Sequence, residues 1–335
     1  MKRIKAEYIW LDGYDVANIR SKVKFFKIDN DIKELKDFPK WNFDGSSTRQ
    51  AEGNSSDCIL NPVKFVEHGF ESDTYIVLCE VLNADGTPHA TNTRSKCKEI
   101  AESKANREYW WGFEQEYFIM KNGKPLGWPD TGYPEPQGKN YCSNGSTRVA
   151  GRNLSEEHAD ACYYSGLDIT GTNAEVTLGQ WEYQLFHTDT LNACDDLIIS
   201  RFILERQAEE KGYDIELHPK PAKGDWNGSG CHTNFSTKAM REEGGEKLFI
   251  DICDRLSFYH DEHIAEYGLH NDERLTGLHE TQAIDQYSYG VSDRGASIRI
   301  PENVSKTWKG YLEDRRPSSN MDPYKVTSLI MKNLN

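Results

Sequence analysis

Polar and apolar residues alternate along much of this chain, and the clearest case is Trp110-Trp-Gly-Phe-Glu-Gln-Glu-Tyr-Phe-Ile-Met120. The stretch is short, aromatic and apolar, which predicts a buried strand. Residues two apart on a strand share a face, so Glu114 and Glu116 point the same way, roughly 6–7 Å apart at Cα. Two carboxylates inside an apolar strand are unfavourable unless something positive compensates them. A surface strand with one polar face is the plain alternative. A divalent-cation site is the other reading, and it requires more ligands elsewhere in the chain.

The pattern predicts a small β-rich domain over residues 1–90, with strands at Tyr8–Leu11, Lys22–Ile28 and Tyr75–Leu82. Trp41-Asn-Phe-Asp-Gly-Ser-Ser-Thr reads as a polar loop, and spacing alone makes Asp44-Gly45 a tight turn. Asn83-Ala-Asp-Gly-Thr-Pro is another turn. Residues 91–335 read as a second, α+β domain. Helical periodicity is expected over Thr93–Asn106, over Ser155–Leu167 with Ser155-Glu-Glu-His capping its start and Gly166 near its end, and over Gly245–Tyr267. Asn192–Lys211 reads as a strongly amphipathic helix. Residues 121–154 form a long Gly-, Pro- and Asn-rich loop region, and the remainder reads as strands and loops.

Four further segments repeat the two-residue spacing of the first. His232, Asn234 and Ser236 share one strand face; Tyr311, Glu313 and Arg315 share another; Ser297 and Arg299 share a third, leaving Ile298 and Ile300 for the core. Glu175 and Glu182 flank Gly179, which suits neighbouring strands of a bent ribbon. An isolated Glu or His on a strand is usually a solvated face. Five such segments point to one oxygen-rich site with an imidazole, a donor set that suits magnesium or manganese.

Composition narrows the function further. With 335 residues, 37% hydrophobic and 28% charged, the chain is long enough for two globular domains. A formal charge of −14 argues against nonspecific binding to nucleic acid or an anionic membrane. No apolar run is long enough to span a membrane, and no apolar stretch follows Met1-Lys-Arg-Ile-Lys to make a signal peptide. The eight cysteines form no Cys-x-x-Cys pair, so free, buried thiols in a cytoplasmic protein are expected. Neither nucleotide-binding glycine motif occurs. Phosphates, if bound, must be held by metal ions and arginines.

At these residues the chain closely resembles glutamine synthetase, in its shorter type II form, from Tyr8 to about Tyr324. The resemblance is carried by Trp41-Asn-Phe-Asp-Gly-Ser-Ser-Thr, Phe113-Glu-Gln-Glu-Tyr, Gly171-Thr-Asn-Ala-Glu-Val, Gln180-Trp-Glu-Tyr-Gln, the run from Trp226 through Cys231-His-Thr-Asn-Phe-Ser to Arg241, Arg274-Leu-Thr-Gly, Asp293-Arg-Gly-Ala-Ser-Ile-Arg-Ile-Pro and Glu313-Asp-Arg-Arg-Pro-Ser. It implies an α+β fold: a small N-terminal β-grasp-like domain and a large catalytic domain with a curved antiparallel sheet flanked by helices. It implies ATP-dependent ligation of ammonia to the γ-carboxylate of L-glutamate through γ-glutamyl phosphate, with two or three Mg2+ or Mn2+ ions.

Residue by residue, the resemblance implies that Glu116, Glu175 and Glu182 hold the metal beside the substrate. Glu114, His232 and Glu313 hold the one on the phosphates. Arg274 and Arg315 would bind the glutamate carboxylates, with Trp226 and its neighbours lining the same pocket. Arg294 and Arg299 would sit on the phosphates, Arg294 serving substrate and catalysis as well. Asn234, Phe235, Ser236 and Tyr311 would contact ATP, whose metal-bound phosphates also face Glu114 and Glu182. Glu280 would lie on a closing flap. Asp44 would be the base for ammonium, reaching the site from a neighbouring subunit in a homo-oligomer, a decamer of two pentameric rings. That implication replaces the turn-only reading of Asp44. Two residues depart from the family pattern: Asp293 stands where Asn is usual, and Glu302 where Arg is common. Both add negative charge near the phosphate arginines. A γ-glutamyl ligase for a larger amine is the alternative within the same chemistry, and a catalytically silent relative is the alternative outside it.

Overall fold

A computed structural model describes residues 1–334. Strands β1 (Lys2–Leu11), β2 (Ile19–Ile28), β3 (Trp41–Asp44), β4 (Asp57–Glu67) and β5 (Thr74–Leu82) form one sheet in the order β2-β1-β5-β4-β3. β1 and β5 pair in parallel at its centre, and the other neighbours are antiparallel. Trp41–Asp44, expected as loop, is the edge strand β3. It pairs with β4, and its Phe43 is buried against Trp10. The turn expected at Asp44-Gly45 follows directly as a short 3-10 segment, Gly45–Thr48.

The second sheet is built on β6 (Trp110–Lys121), the stretch with the paired glutamates. Its other strands are β7 (Lys124–Pro125), β8 (Ile169–Ala174), β9 (Gln180–His187), β10 (Asp214–Glu216), β11 (Cys231–Ser236), β12 (Tyr289–Val291), β13 (Ile298–Ile300) and β14 (Leu312–Asp314). They run β12-β13-β14-β11-β6-β9-β8, with β7 and β10 paired to the far end of β6. All the pairings are antiparallel except β12 with β13. The bent ribbon expected between Glu175 and Glu182 is the β8–β9 hairpin. Gly179 sits in its turn at φ 89°, a conformation that needs glycine.

The helices are α1 (Thr93–Ser103), α2 (Arg152–Tyr164), α3 (Thr190–Glu210), α4 (Lys238–Glu242), α5 (Glu246–Ser257), α6 (His260–Glu266), α7 (Glu302–Thr307) and α8 (Pro323–Asn333). Four expectations change here. α2 begins three residues before Ser155, whose buried hydroxyl bonds to Thr172 instead of capping the helix. α3 is not strongly amphipathic but buried on nearly all sides from Ala193 to Leu204. Its polar residues are paired inside: Asp195 with Arg94, Asp196 with Lys64. The helix expected over Gly245–Tyr267 breaks at Phe258–Tyr259, where both amides make tighter i−3 bonds. The C-terminal region, read as strands and loops, also carries α7 and α8.

One face of the N-terminal sheet belongs to the larger core. Ile9, Val66, Ile76 and Leu78 pack in the same cluster as Trp111, Leu197 and Ile330, while Tyr8, Trp10, Phe43 and Leu60 form a separate core on the other face. All eight cysteines are free; seven are buried as expected, and Cys142 is exposed. Among the described residues no helix is long and apolar enough to cross a membrane.

Candidate active site

Register builds the site. Residues directly opposite in an antiparallel pair share a face with Cβ atoms about 4.5–5.5 Å apart. Glu114 lies opposite His232 on β11 and Gln184 on β9; Glu116 lies opposite Glu182. Glu182 in turn faces Asn173 on β8, and Glu313 faces both Asn234 and Arg299. The face opposite to these residues carries Gln115, Tyr183 and Cys231 into the core. The alternation seen in the sequence therefore becomes a polar floor across six strands.

That floor opens into a cavity of about 480 Å³. It is lined by Glu114, Glu116, Glu175, Glu182, Glu280 and Glu313, by Arg274, Arg294, Arg299 and Arg315, and by His232. Ligand atoms of Glu116, Glu175 and Glu182 lie within 4.8 Å of one another, and so do those of Glu114, Glu182 and His232. Glu182 belongs to both groups. Among the described residues no lysine or arginine pairs with Glu114, Glu116, Glu175 or Glu182. Burial pushes the Glu116 carboxyl up to about 7, against the pull of Arg274 and of the Gly230 amide. Burial and then the Glu116 charge push Glu175 up to about 8. Burial and three neighbouring glutamates raise Glu182 well above the carboxylate range. His232 is driven well below its ordinary value by burial and then Arg315, so its ring is neutral. A neutral imidazole among crowded, unneutralised carboxylates is the donor set that a hard divalent cation fits.

Two other groups of His and carboxylate residues, His218/His270/Glu273 and Asp168/His187/Asp196, have comparable spacing. Protein partners already occupy them. Lys223 bonds Glu273 and the Lys220 amide bonds His218; Lys64 bonds Asp196 and the Asp189 amide bonds His187.

The chain matches two family descriptions, "Glutamine synthetase, beta-Grasp domain" over residues 4–84 and "Glutamine synthetase, catalytic domain" over residues 91–266. Glutamine synthetase of Streptomyces viridochromogenes is 50% identical over 331 residues, covering 98% of this chain and 95% of that protein. The protein of the same name from Emericella nidulans is 49% identical over 334 residues (99% and 92%), and that from Mus musculus 48% over 337 residues (99% and 90%). The chain belongs to the glutamine synthetase family. Glutamine synthesis, the function expected from the sequence, is the function of that family, and the β-grasp N-terminal region is the fold expected.

Of the residues that the glutamine synthetase resemblance singled out, most meet in or beside the cavity. Glu313 is held by Arg299 at 2.7 Å and Arg315 at 2.5 Å, and lies 3.5 Å from His232 Nδ1. Arg274 is buried, with Nη2 3.1 Å from His232 Nε2 and 2.9 Å from the Arg315 carbonyl. A side chain at Gly230 would meet Arg274 Nη2 at 2.4 Å, so the close approach needs glycine there. Asn234, Phe235, Ser236 and Tyr311 line a second, apolar cavity of about 460 Å³ that shares Glu114 and Gln184 with the first. The Phe235 side chain is buried away from it in the core, whereas Asn234 donates to Glu114 and leaves its own buried Oδ1 without a partner.

Two residues are placed differently from the rest, Trp226 and Asp44. Trp226 does not line the first cavity; its ring packs on Trp128 and Tyr133 of the long loop, and its neighbours Asn227 and Gly228 face the cavity. Asp44 is exposed on β3, outside the cavity of its own chain. It accepts hydrogen bonds from Ser46 and Ser47, which hold its carboxyl below the usual range and make it the cap of the following turn. Glu280 lines the cavity from a segment where Gly277, His279 and Glu280 all have positive φ. The two family departures turn aside: Asp293 accepts from the Gly295 amide, and Glu302 pairs with Lys306.

The sequence reading missed Tyr141, Asn173, Gln184 and His279, all of which line the cavity. Gln184 bonds Glu182 and Asn173, and Asn173 bonds Glu175 at 3.0 Å. Each stands two residues from a ligand, so the same period-two rule would have found them.

Proposed function

We propose that this chain joins ammonium to the γ-carboxylate of L-glutamate with cleavage of ATP to ADP and phosphate, using two Mg2+ or Mn2+ ions. The observation that carries this reading is the pair of ligand groups sharing Glu182 beside four cavity arginines. Residues 91–335 supply that cavity and residues 1–90 carry Asp44. Glu116, Glu175 and Glu182 would hold one ion; Glu114, Glu182 and His232, with Glu313 at their edge, would hold the other. When bound, the ions screen the triphosphate and polarise the carboxylate that reacts.

A carboxylate is a poor electrophile because its leaving group would be oxide. The γ-carboxylate oxygen attacks the γ-phosphorus, the bond to ADP breaks, and an acyl phosphate results. Arg294 and Arg299 neutralise the phosphates, while Arg274 and Arg315 fix the glutamate carboxylates. The second cavity takes the base, against Tyr311 and the backbone of Asn234, Phe235 and Ser236. Asp44 stays ionised, draws ammonium in and takes one proton. Ammonia then attacks the carbonyl carbon, phosphate leaves with the bonding pair, and the nitrogen gives its extra proton to the departing phosphate. Glu280 completes the ammonium pocket, and its segment shields the acyl phosphate from water.

The position of Asp44 supports active sites shared between subunits of a homo-oligomer, which we read as two pentameric rings. The free thiols fit a reducing cytoplasmic setting. ADP release by purified protein with glutamate and Mg2+ should depend on ammonia and yield glutamine. Turnover only with a larger amine would replace the ammonia reading. For the shared site, Asp44→Asn and Glu182→Gln proteins should each be inactive, yet regain activity when dissociated and reassembled together. No recovery on reassembly would place Asp44 outside the neighbour's site.

A further inference from the structure

Behind the floor of the cavity lies a second polar layer, whose side chains do not line the cavity. Gln115, between Glu114 and Glu116, is fully buried and points away from the cavity toward α3. Its Oε1 accepts two bonds from Arg201, Nε at 2.8 Å and Nη2 at 2.6 Å. Its Nε2 donates to the Glu116 carbonyl at 2.8 Å and to the hydroxyl and carbonyl of Ser319 at 2.9 and 3.1 Å. Ser319 Oγ donates to the same Glu116 carbonyl at 2.6 Å. Arg201 spends its remaining donors on the carbonyls of Met321 at 2.9 Å and Ser319 at 3.0 Å.

The layer continues to β11. The Ser319 amide donates to the Ser229 carbonyl, and the Cys231 amide to Pro317. The Gly230 amide reaches the Glu116 carboxylate at 2.5 Å, and the Glu116 amide returns a bond to Gly230 at 3.0 Å. Thus α3, the 317–321 segment and β11 are all fastened to the one peptide that carries both glutamates.

Arg201 is, like Arg274, a buried arginine that makes no ion pair with a carboxylate. The half-buried Arg94 and the buried Arg316 each make bidentate contacts with a carboxylate, whereas Arg201 bonds to the neutral oxygens of Gln115, Ser319 and Met321. A guanidinium buried without a carboxylate partner is disfavoured by desolvation, so it is poorly suited to stabilising the fold by ion pairing. Its planar fork does satisfy three acceptors at fixed angles at once, which an ammonium cannot do.

We infer that Arg201, Gln115 and Ser319 are positioning residues that lock the Glu114–Glu116 peptide, so that two carboxylates on one strand face serve two different cations. The inference rests on the function proposed above. If the peptide rotated, both carboxylates would move together, and the shared geometry with Glu182 would be lost.

The test is Mn2+ binding to the assembled protein, followed by the EPR signal of free and bound Mn2+, with thermal midpoint measured alongside. Wild type should bind Mn2+ with a bound-state signal. Arg201→Lys should weaken binding by about tenfold or more, as outer partners of metal ligands do. Ser319→Ala, a smaller change that leaves Arg201 in place, should weaken it by about fivefold through loss of the two hydrogen bonds of its hydroxyl. Gln115→Glu should also weaken binding although it can pair with Arg201, because it loses the three bonds that Nε2 gives to the Glu116 carbonyl and Ser319. Assembled variants with lower thermal midpoints but wild-type Mn2+ affinity and signal would make the layer merely structural and overturn the inference. Should Arg201→Lys not assemble, Ser319→Ala and Gln115→Glu decide it. Failure of the wild type itself to bind Mn2+ would instead overturn the function on which the inference rests.

Discussion

Two buried clusters of charge lie back to back across β14 and handle charge in opposite ways. Asp314 points into the protein, where Arg316 meets it at 2.9 and 2.7 Å and Tyr267 at 3.0 Å. His260 and His263 flank the guanidinium, and Tyr267 and Tyr287 lie against it. Burial alone would raise the Asp314 carboxyl, and Arg316 more than reverses that. On the cavity side, Glu116, Glu175 and Glu182 have amide and peptide donors but no cationic side chain paired with them, and all three are pushed up. The first cluster is closed by its own protein. The second is left without such a partner. A buried charge network that satisfies itself is structural, and one that repels itself marks a place where function requires a ligand.

The comparison can be broken most sharply at Glu182, the carboxylate shared by both ligand groups. Glu182→Gln should reduce turnover by about a thousandfold or more, because both cation positions lose a donor. In chelator, the same variant should be more stable than wild type, by about 1 kcal/mol or roughly 2 °C in thermal midpoint, because repulsion is relieved. A chelated variant that melts below wild type would contradict the repulsion argument.

Asp314→Asn should do the reverse. It strands a buried guanidinium and should destabilise the protein by about 3–5 kcal/mol, metal or no metal, as read by denaturant melts. A loss confined to metal-loaded protein would place Asp314 with the ligand site.

The pH dependence of stability follows from the raised carboxyls. Glu116 and Glu175 keep protons in the folded chain up to about 7 and 8, whereas unfolded glutamate releases them near about 4.3. The folded state therefore binds more protons across that window, and metal-free stability should fall as pH rises from about 4.3 through 8. Excess Mn2+ should flatten the fall, and Glu182→Gln should shrink it. A midpoint that rises with pH in chelator, after subtraction of the Glu182→Gln profile, would reverse the assigned sign.

The smallest effect is expected at Gln184, which orients Glu182 from two residues away. Gln184→Ala should weaken Mn2+ binding by about tenfold, with stability nearly unchanged, as measured by titration of the assembled protein.

Much of the site was legible because a strand's period of two is rigid. Glu114 with Glu116, and His232 with Asn234, could be placed on shared faces without knowing the partner strands. What could not be read was register. Only pairing shows that Glu116 stands opposite Glu182, or that Glu313 is already held by two arginines. The fold errors have the same cause: tertiary contacts override local pattern. α3 looked amphipathic because Asp195, Asp196 and Arg201 are polar, yet their partners lie in other elements and bury them. Trp41–Asp44 looked like loop because one face is polar, and pairing with β4 makes it a strand.

Glu182's double membership also fixes a charge count. Glu114, Glu116, Glu175 and Glu182 together carry four negative charges when ionised, and His232 carries none. Two divalent ions carry four positive charges, so a filled floor is electrically neutral. The arginines above it are then free of the glutamates beneath, apart from Glu313, and their charge is left for incoming anions. With an ion missing, Glu116 and Glu175 would hold protons in its place, and the floor would lack a charge that the proposed reaction needs beneath its carboxylate and phosphates. On the proposed function, cations would therefore settle first, displacing those protons, and anionic substrates would come to a surface already made neutral.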